Sequence, residues 1–271
     1  MPEQTDLTQT IDESAAIEPL SLELPGGTVR YFRKGTGKPT VFLHAAGGAG
    51  AWSPFHEGLA AGRDLIAPDH PGFGNTDDFP GLRTIDDLVY HYLDVFDALG
   101  LEEFDLIGSS FGGWISAEIA VHSPQLIDRL VLLAPAGLRV PGTEIADLFI
   151  MTPPQLFDAL FHDKELVAAI LSAEPSMDDI LKSYREMGTL GRFAWKPYLC
   201  NPRLEGRLHR ITAPTRVIAA EFDDIIPREH AERYAERIPD AELVVVPAIG
   251  HALYQERPDE VTAVVTEFLD R

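Results

Sequence analysis

A serine set between glycines, a histidine behind an apolar run and a carboxylate-rich loop between them could together perform nucleophilic catalysis. Gly108-Ser109-Ser110-Phe111-Gly112 follows the apolar run Phe104–Gly108 and opens the helical stretch Ser110–His122. A strand that turns at once into a helix leaves no room for side chains beside the turn, which calls for glycine at 108 and 112. The same turn lifts the Ser110 hydroxyl clear of the backbone at a helix N-terminus. There, free N–H groups and the helix dipole favour developing negative charge. Ser109 adjoins it without the flanking glycine spacing, so Ser110 is the expected nucleophile.

A serine hydroxyl becomes a good nucleophile when an imidazole takes its proton, and a carboxylate must hold that imidazole in one tautomer. Gly250-His251 comes directly after the run Leu243–Pro247 and ahead of the last helical stretch, which suits the base. The run Thr215–Ala220 leads into Glu221-Phe222-Asp223-Asp224-Ile225-Ile226-Pro227. Asp223, four residues before Pro227, is the expected acid; Asp224 is the next choice, and Glu221 lies nearer the strand end. His91 and His122 fall on helical stretches, His162 and His209 in or beside a helical insertion, and His56 and His230 at loops or helix starts. Each is read as structural or solvent-exposed.

These residues need a scaffold, and the pattern around them supplies one. Short apolar runs alternate with longer stretches of helical spacing, the signature of α/β architecture. Leu20–Leu24 and Thr28–Arg33 flank Pro25-Gly26-Gly27 and predict an antiparallel hairpin. Pro39–His44, Asp64–Asp69, Phe104–Gly108 and Arg129–Ala134 predict further strands, with a helix over Thr84–Leu99. The alternation then stops. Residues 138–207 are helical and broken by prolines, with helices predicted over Pro153–His162, Ser176–Met187 and the Phe193–Leu199 stretch. Strand–helix alternation resumes over Thr215–Ala220, Arg228–Ile238, Leu243–Val246 and Asp259–Leu269. This divides the chain into an acidic leader at 1–18, a core at 19–137 and 208–271, and a helical cap at 138–207.

At these residues the sequence resembles the α/β-hydrolase superfamily over roughly residues 20 to 270. The matching segments are VFLHAAGG at 41–48, PDHPGFGNTD at 68–77, IGSSFGGW at 107–114, EFDDIIP at 221–227 and IGHALYQERPDEV at 249–261. The resemblance implies a mostly parallel eight-stranded sheet with helices on both faces and a cap inserted after the sixth strand. It also implies an oxyanion hole made by the backbone N–H groups of Ala46 and Phe111, with His44 at the pocket wall. Ala45 replaces the family's usual glycine, and Ala219-Ala220 stands where relatives often carry Trp-Gly.

Composition narrows the partners. The 271 residues carry a formal charge of −21, which argues against nucleic acid and anionic membrane surfaces, both of which select clustered Lys and Arg. One cysteine, Cys200, excludes an intrachain disulfide and suits a reducing, cytoplasmic setting. No ligand spacing suggests a metal, and no dinucleotide or phosphate loop suggests a cofactor. The expected reaction is hydrolysis of a small, apolar ester through an acyl-enzyme. Serine at 110 speaks against the dehalogenases and epoxide hydrolases of the superfamily, which place aspartate there. An alternative is the carbon–carbon bond hydrolases of ring-cleavage pathways: GSSFGG is similar to their elbow, and Arg185 and Arg192 could meet an acidic substrate. They typically have asparagine where Ser109 stands and tryptophan where Ala252 stands. A third reading is a slow-turnover receptor on the same fold. Phe149, Phe157, Phe161 and Trp195 are candidate pocket residues.

Overall fold

The computed structural model describes residues 17–271, so the leader expected at 1–18 falls almost wholly outside the described residues. Eight strands form one open sheet: β1 (Leu20–Leu24), β2 (Gly27–Lys34), β3 (Pro39–Leu43), β4 (Asp64–Pro68), β5 (Phe104–Ser109), β6 (Ile127–Leu133), β7 (Thr215–Ala220) and β8 (Ala241–Val246). Their order is β1-β2-β4-β3-β5-β6-β7-β8. β2 runs antiparallel to both β1 and β4, and every other pairing is parallel.

A strand buried on both faces sends alternate side chains to opposite sides. Val41, Leu43, Leu106, Leu130, Leu132, Val217 and Ala219 pack into one core cluster. Phe42, Ile107, Val131, Leu133, Ile218 and Ala220 pack into another. The first layer is completed by α2 (Ile85–Ala98), α3 (Phe111–His122) and α7 (Glu229–Arg237). The second is completed by α1 (Pro54–Ala60), the short α8 (Leu253–Glu256) and α9 (Pro258–Leu269). Helices therefore cover both faces, as the alternation requires.

Between β6 and β7 the chain builds α4 (Pro153–Leu160), α5 (Lys164–Ser172) and α6 (Met177–Ala194), then a 3-10 turn over Glu205–Arg210. Helix α5 was not anticipated; Asp163 caps it, its carboxylate accepting from the N–H groups of Glu165 and Leu166 at 2.9 and 3.1 Å. The helix expected to end at Met187 runs on to Ala194 and takes in Phe193. Among the described residues no helix is long and apolar enough to cross a membrane.

Candidate active site

Parallel strands in register deliver their carboxyl ends to one rim of the sheet. Ser110 follows β5, Asp223 lies in the loop after β7, and His251 in the loop after β8. Past the strand ends these last two loops stay joined, since Glu221 N–H donates to Val246 O and Phe222 N–H to Ile249 O, each at 3.0 Å.

Ser110 adopts φ 51° and ψ −109°, a left-handed backbone that non-glycine residues rarely occupy outside functional turns. It is held there by its N–H on Leu133 O at 2.8 Å and by its own carbonyl, which accepts from Ala136 and Trp114 N–H at 3.0 Å each. A Cβ on Gly112 would strike the carbonyl oxygens of Leu43 and His44, and one on Gly108 would meet Ser116 Oγ and Gly112 O. These two glycines are therefore required by close approach rather than by flexibility.

Ser110 Oγ lies 2.9 Å from His251 Nε2, and His251 Nδ1 lies 2.7 Å from Asp223 Oδ2. The carboxylate can only accept, so the proton sits on Nδ1 and Nε2 is left to accept from the serine. The other Asp223 oxygen accepts from Ile225 and Ile226 N–H at 3.0 and 2.7 Å. Asp224 is exposed, and Glu221 turns to Ala248 N–H at 2.8 Å. Of the three carboxylates, Asp223 alone is brought to the imidazole. The side chains of His251 and Asp223 are only 5% and 2% exposed, a setting in which their charge-assisted bond is little screened.

The loop after β3 is fixed by a chain of bonds that sequence reading did not find. His70 N–H donates to His44 Nε2 at 3.0 Å, and His70 Nε2 lies 2.7 Å from His44 O. A carbonyl only accepts, so His70 Nε2 carries the proton and His70 Nδ1 accepts from the Tyr92 hydroxyl. His44 Nε2 being an acceptor, its Nδ1 donates to Ala45 O. Burial lowers the basicity of both imidazoles, that of His70 strongly, so both are neutral. Their neighbour Asp69 accepts from Gly50 and Asn75 N–H at 2.7 and 3.1 Å, tying this loop to the one after β4. Half-buried Ala46 follows directly, and Phe111 opens α3, where N–H groups lack partners one turn back.

The pocket candidates divide. Phe161 is buried and packs with Ala252, beside the histidine, and its ring stacks 6.4 Å from that of Phe157. Phe149 sits between Trp195 and Tyr198, with ring centroids at 4.9 and 5.9 Å. Trp195 itself is 61% exposed. Arg185 donates to Gly74 O, and Arg192 pairs with Asp78 at 2.7 Å while lying over the Phe193 ring. A recess of about 600 Å³ lies elsewhere, between residues 138–145, Asp147, Tyr198, Cys200 and His230.

Comparison with known proteins agrees with this architecture. Residues 40–264 match the model of the alpha/beta hydrolase family. The chain is 31% identical over 250 residues to 2-hydroxymuconate semialdehyde hydrolase of Pseudomonas sp. (strain CF600), covering 87% of this chain and 88% of that one. It is 28% identical over 261 residues to 2-hydroxy-6-oxo-6-phenylhexa-2,4-dienoate hydrolase of Burkholderia cepacia, with the same coverage of 87% and 88%. The solved meta-cleavage product hydrolase from Pseudomonas fluorescens IP01 superposes with TM-score 0.76 at 27% identity, over 94% of this chain and 98% of that one. The chain belongs to the alpha/beta hydrolase family and is a hydrolase.

Proposed function

We propose that this chain hydrolyses a carbon–carbon bond in a vinylogous diketone, through an acyl-enzyme on Ser110. The hydrogen-bonded line Ser110–His251–Asp223 supports the nucleophile. The names of the relatives, hydrolases of 2-hydroxymuconate semialdehyde and of a 2-hydroxy-6-oxo-dienoate, support the substrate class. In such a compound the ketonised dienol lets the leaving carbon depart as a delocalised enolate, which makes the bond cleavable. Ser110 Oγ attacks the carbonyl carbon as His251 Nε2 takes its proton, and the oxyanion faces the Ala46 and Phe111 N–H groups. The carbon–carbon bond then breaks with its electron pair passing from the leaving carbon into the conjugated enolate, whose oxygen takes up the proton from Nε2 to give a dienol. Water, deprotonated by His251, releases the carboxylic acid and restores Ser110. The balance is one water consumed, with one acid and one dienol formed, and the sequence calls for no cofactor.

Ester hydrolysis is the second reading, and particular residues favour it. Ser109 and Ala252 replace the asparagine and tryptophan typical of the carbon–carbon hydrolases, and Arg185 and Arg192 are already engaged by Gly74 and Asp78. The same triad would serve, with an alkoxide as the leaving group. Comparing kcat/KM for 2-hydroxy-6-oxohexa-2,4-dienoate with p-nitrophenyl acetate, butyrate and octanoate separates the two. The carbon–carbon reading expects the dienoate to lead by on the order of 100-fold or more, and the reverse order establishes an esterase. Either substrate is a small molecule, and the free buried thiol of Cys200 suits action in the cytoplasm.

A further inference from the structure

The corner between α4 and α5, residues 160–163, is built onto the loop that carries His251. Ala252 N–H donates to Leu160 O at 2.9 Å. A Cβ on Gly250 would lie 2.6 Å from Leu160 O and 2.7 Å from His162 N, so the two backbones abut with nothing between them. The His162 ring stacks on Phe222, the neighbour of Asp223, at 4.2 Å with 8° between planes. One half-buried side chain joins these pieces. Glu256 Oε2 accepts from Gly250 N–H at 2.8 Å and from His162 N–H at 3.2 Å, while Oε1 accepts from Asp163 N–H at 2.7 Å. Three N–H groups from two separate segments thus converge on one carboxylate. Only an acceptor with two oxygens can take all three.

From this geometry we infer that Glu256 is a positioning residue for His251, fixing the base loop against the cap corner so that Nε2 stays within reach of Ser110. The inference rests on the triad proposed above. The far end of the loop is held separately, by Arg257 donating to Ala248 O at 2.6 Å and by Glu221 accepting from Ala248 N–H at 2.8 Å. Between that anchor and α8, Glu256 supplies the side-chain bond closest to the histidine's own backbone. Its loss frees Gly250, and a base displaced by even an ångström transfers protons poorly. The cap corner is therefore part of the base's seat, and whatever moves it moves His251.

The test uses the full chain with Glu256→Gln, Glu256→Ala and, as a control at an exposed position of α9, Asp259→Asn. The readouts are the rate at which a fluorophosphonate probe labels the protein, kcat and KM for p-nitrophenyl acetate, and the melting temperature. The expected result is labelling and kcat lowered by about 10-fold in Glu256→Gln, which keeps one acceptor oxygen, and by about 100-fold in Glu256→Ala. KM should stay within about twofold, labelling should still reach completion, and Asp259→Asn should match the wild type. A lowered melting temperature with unchanged kcat and labelling rate would make Glu256 a purely structural clasp and overturn the inference. If Glu256→Ala does not fold, Glu256→Gln decides by the same criteria. A folded wild-type chain that takes no label would instead overturn the triad on which the inference stands.

Discussion

Ser110, His251 and Asp223 are each held by partners that leave the side chain one available state. Two backbone N–H groups occupy one oxygen of Asp223, the other fixes the His251 tautomer, and that tautomer presents a lone pair to Ser110. The same logic governs the loop after β3, proposed to hold the oxyanion, where Tyr92, His70 and His44 form a line of donors ending at Ala45. Tyr92→Phe removes the first donor and leaves His70 Nδ1 buried without a partner. It is expected to destabilise the fold by about 1–3 kcal/mol. It should also lower kcat, by less than the roughly 100-fold typical of deleting an oxyanion donor outright. Urea unfolding and ester turnover on the same preparation check both. At this scale the sequence was informative for Ser110 and His251, because glycine spacing and a strand end are local signals. Among Glu221, Asp223 and Asp224 the spacing before Pro227 pointed to Asp223, and in the structure that carboxylate is the one hydrogen-bonded to the imidazole. Glu256 was invisible because its partners at 162–163 are remote in the chain.

The strands were legible because a core strand is a short apolar run, and their bounds in the structure differ by only a residue or two from those read off the pattern. The helices were legible where they are long and amphipathic in the usual sense. Helix α1 was missed: it has seven residues, and its start depends on a bond between the Ser53 backbone N–H and the His56 ring. Helix α6 shows how periodicity misleads about a cap. Lys182, Arg185, Glu186 and Thr189 turn inward to the loops after β3 and β4, with Lys182 on Ala49 O at 2.7 Å and Glu186 on Gly74 N–H at 2.9 Å. Met177, Leu181 and Tyr184 face out, at 68%, 59% and 76% exposed. The first turns of the helix dock by their polar face, because the surface they meet is a rim of backbone carbonyls and N–H groups, while Leu190, Phe193 and Ala194 near its end join the apolar core. Burial raises the Glu186 pKa, and the Gly74 N–H and nearby cations oppose that shift.

For the molecule as a whole, two opposing effects govern the response to acid. The charge of −21 at neutral pH repels itself, and acidification relieves that repulsion. Buried neutral histidines act the other way. Burial lowers the pKa of both His56 and His91 to about 4. Below the ordinary value of 6.5 the unfolded chain takes up protons that the folded chain refuses, so stability is lost as pH falls from 6.5 towards 4. For a shift of this size the loss approaches about 3 kcal/mol per histidine. His91→Leu removes one such group whose Nε2 is buried with no hydrogen-bond partner among the described residues. Measured by urea unfolding at pH 7 and pH 4.5, the variant should lose less stability than the wild type over that interval. The background repulsion cancels in the comparison, and equal losses would refute the assignment.

The central claim is that Ser110 is the nucleophile. Labelling by a fluorophosphonate probe, compared among the wild type, Ser110→Ala and Ser109→Ala, tests it most directly. The account predicts labelling of the wild type and of Ser109→Ala, with none in Ser110→Ala. Labelling that persists in folded Ser110→Ala, or a folded wild type that takes no label, would contradict it.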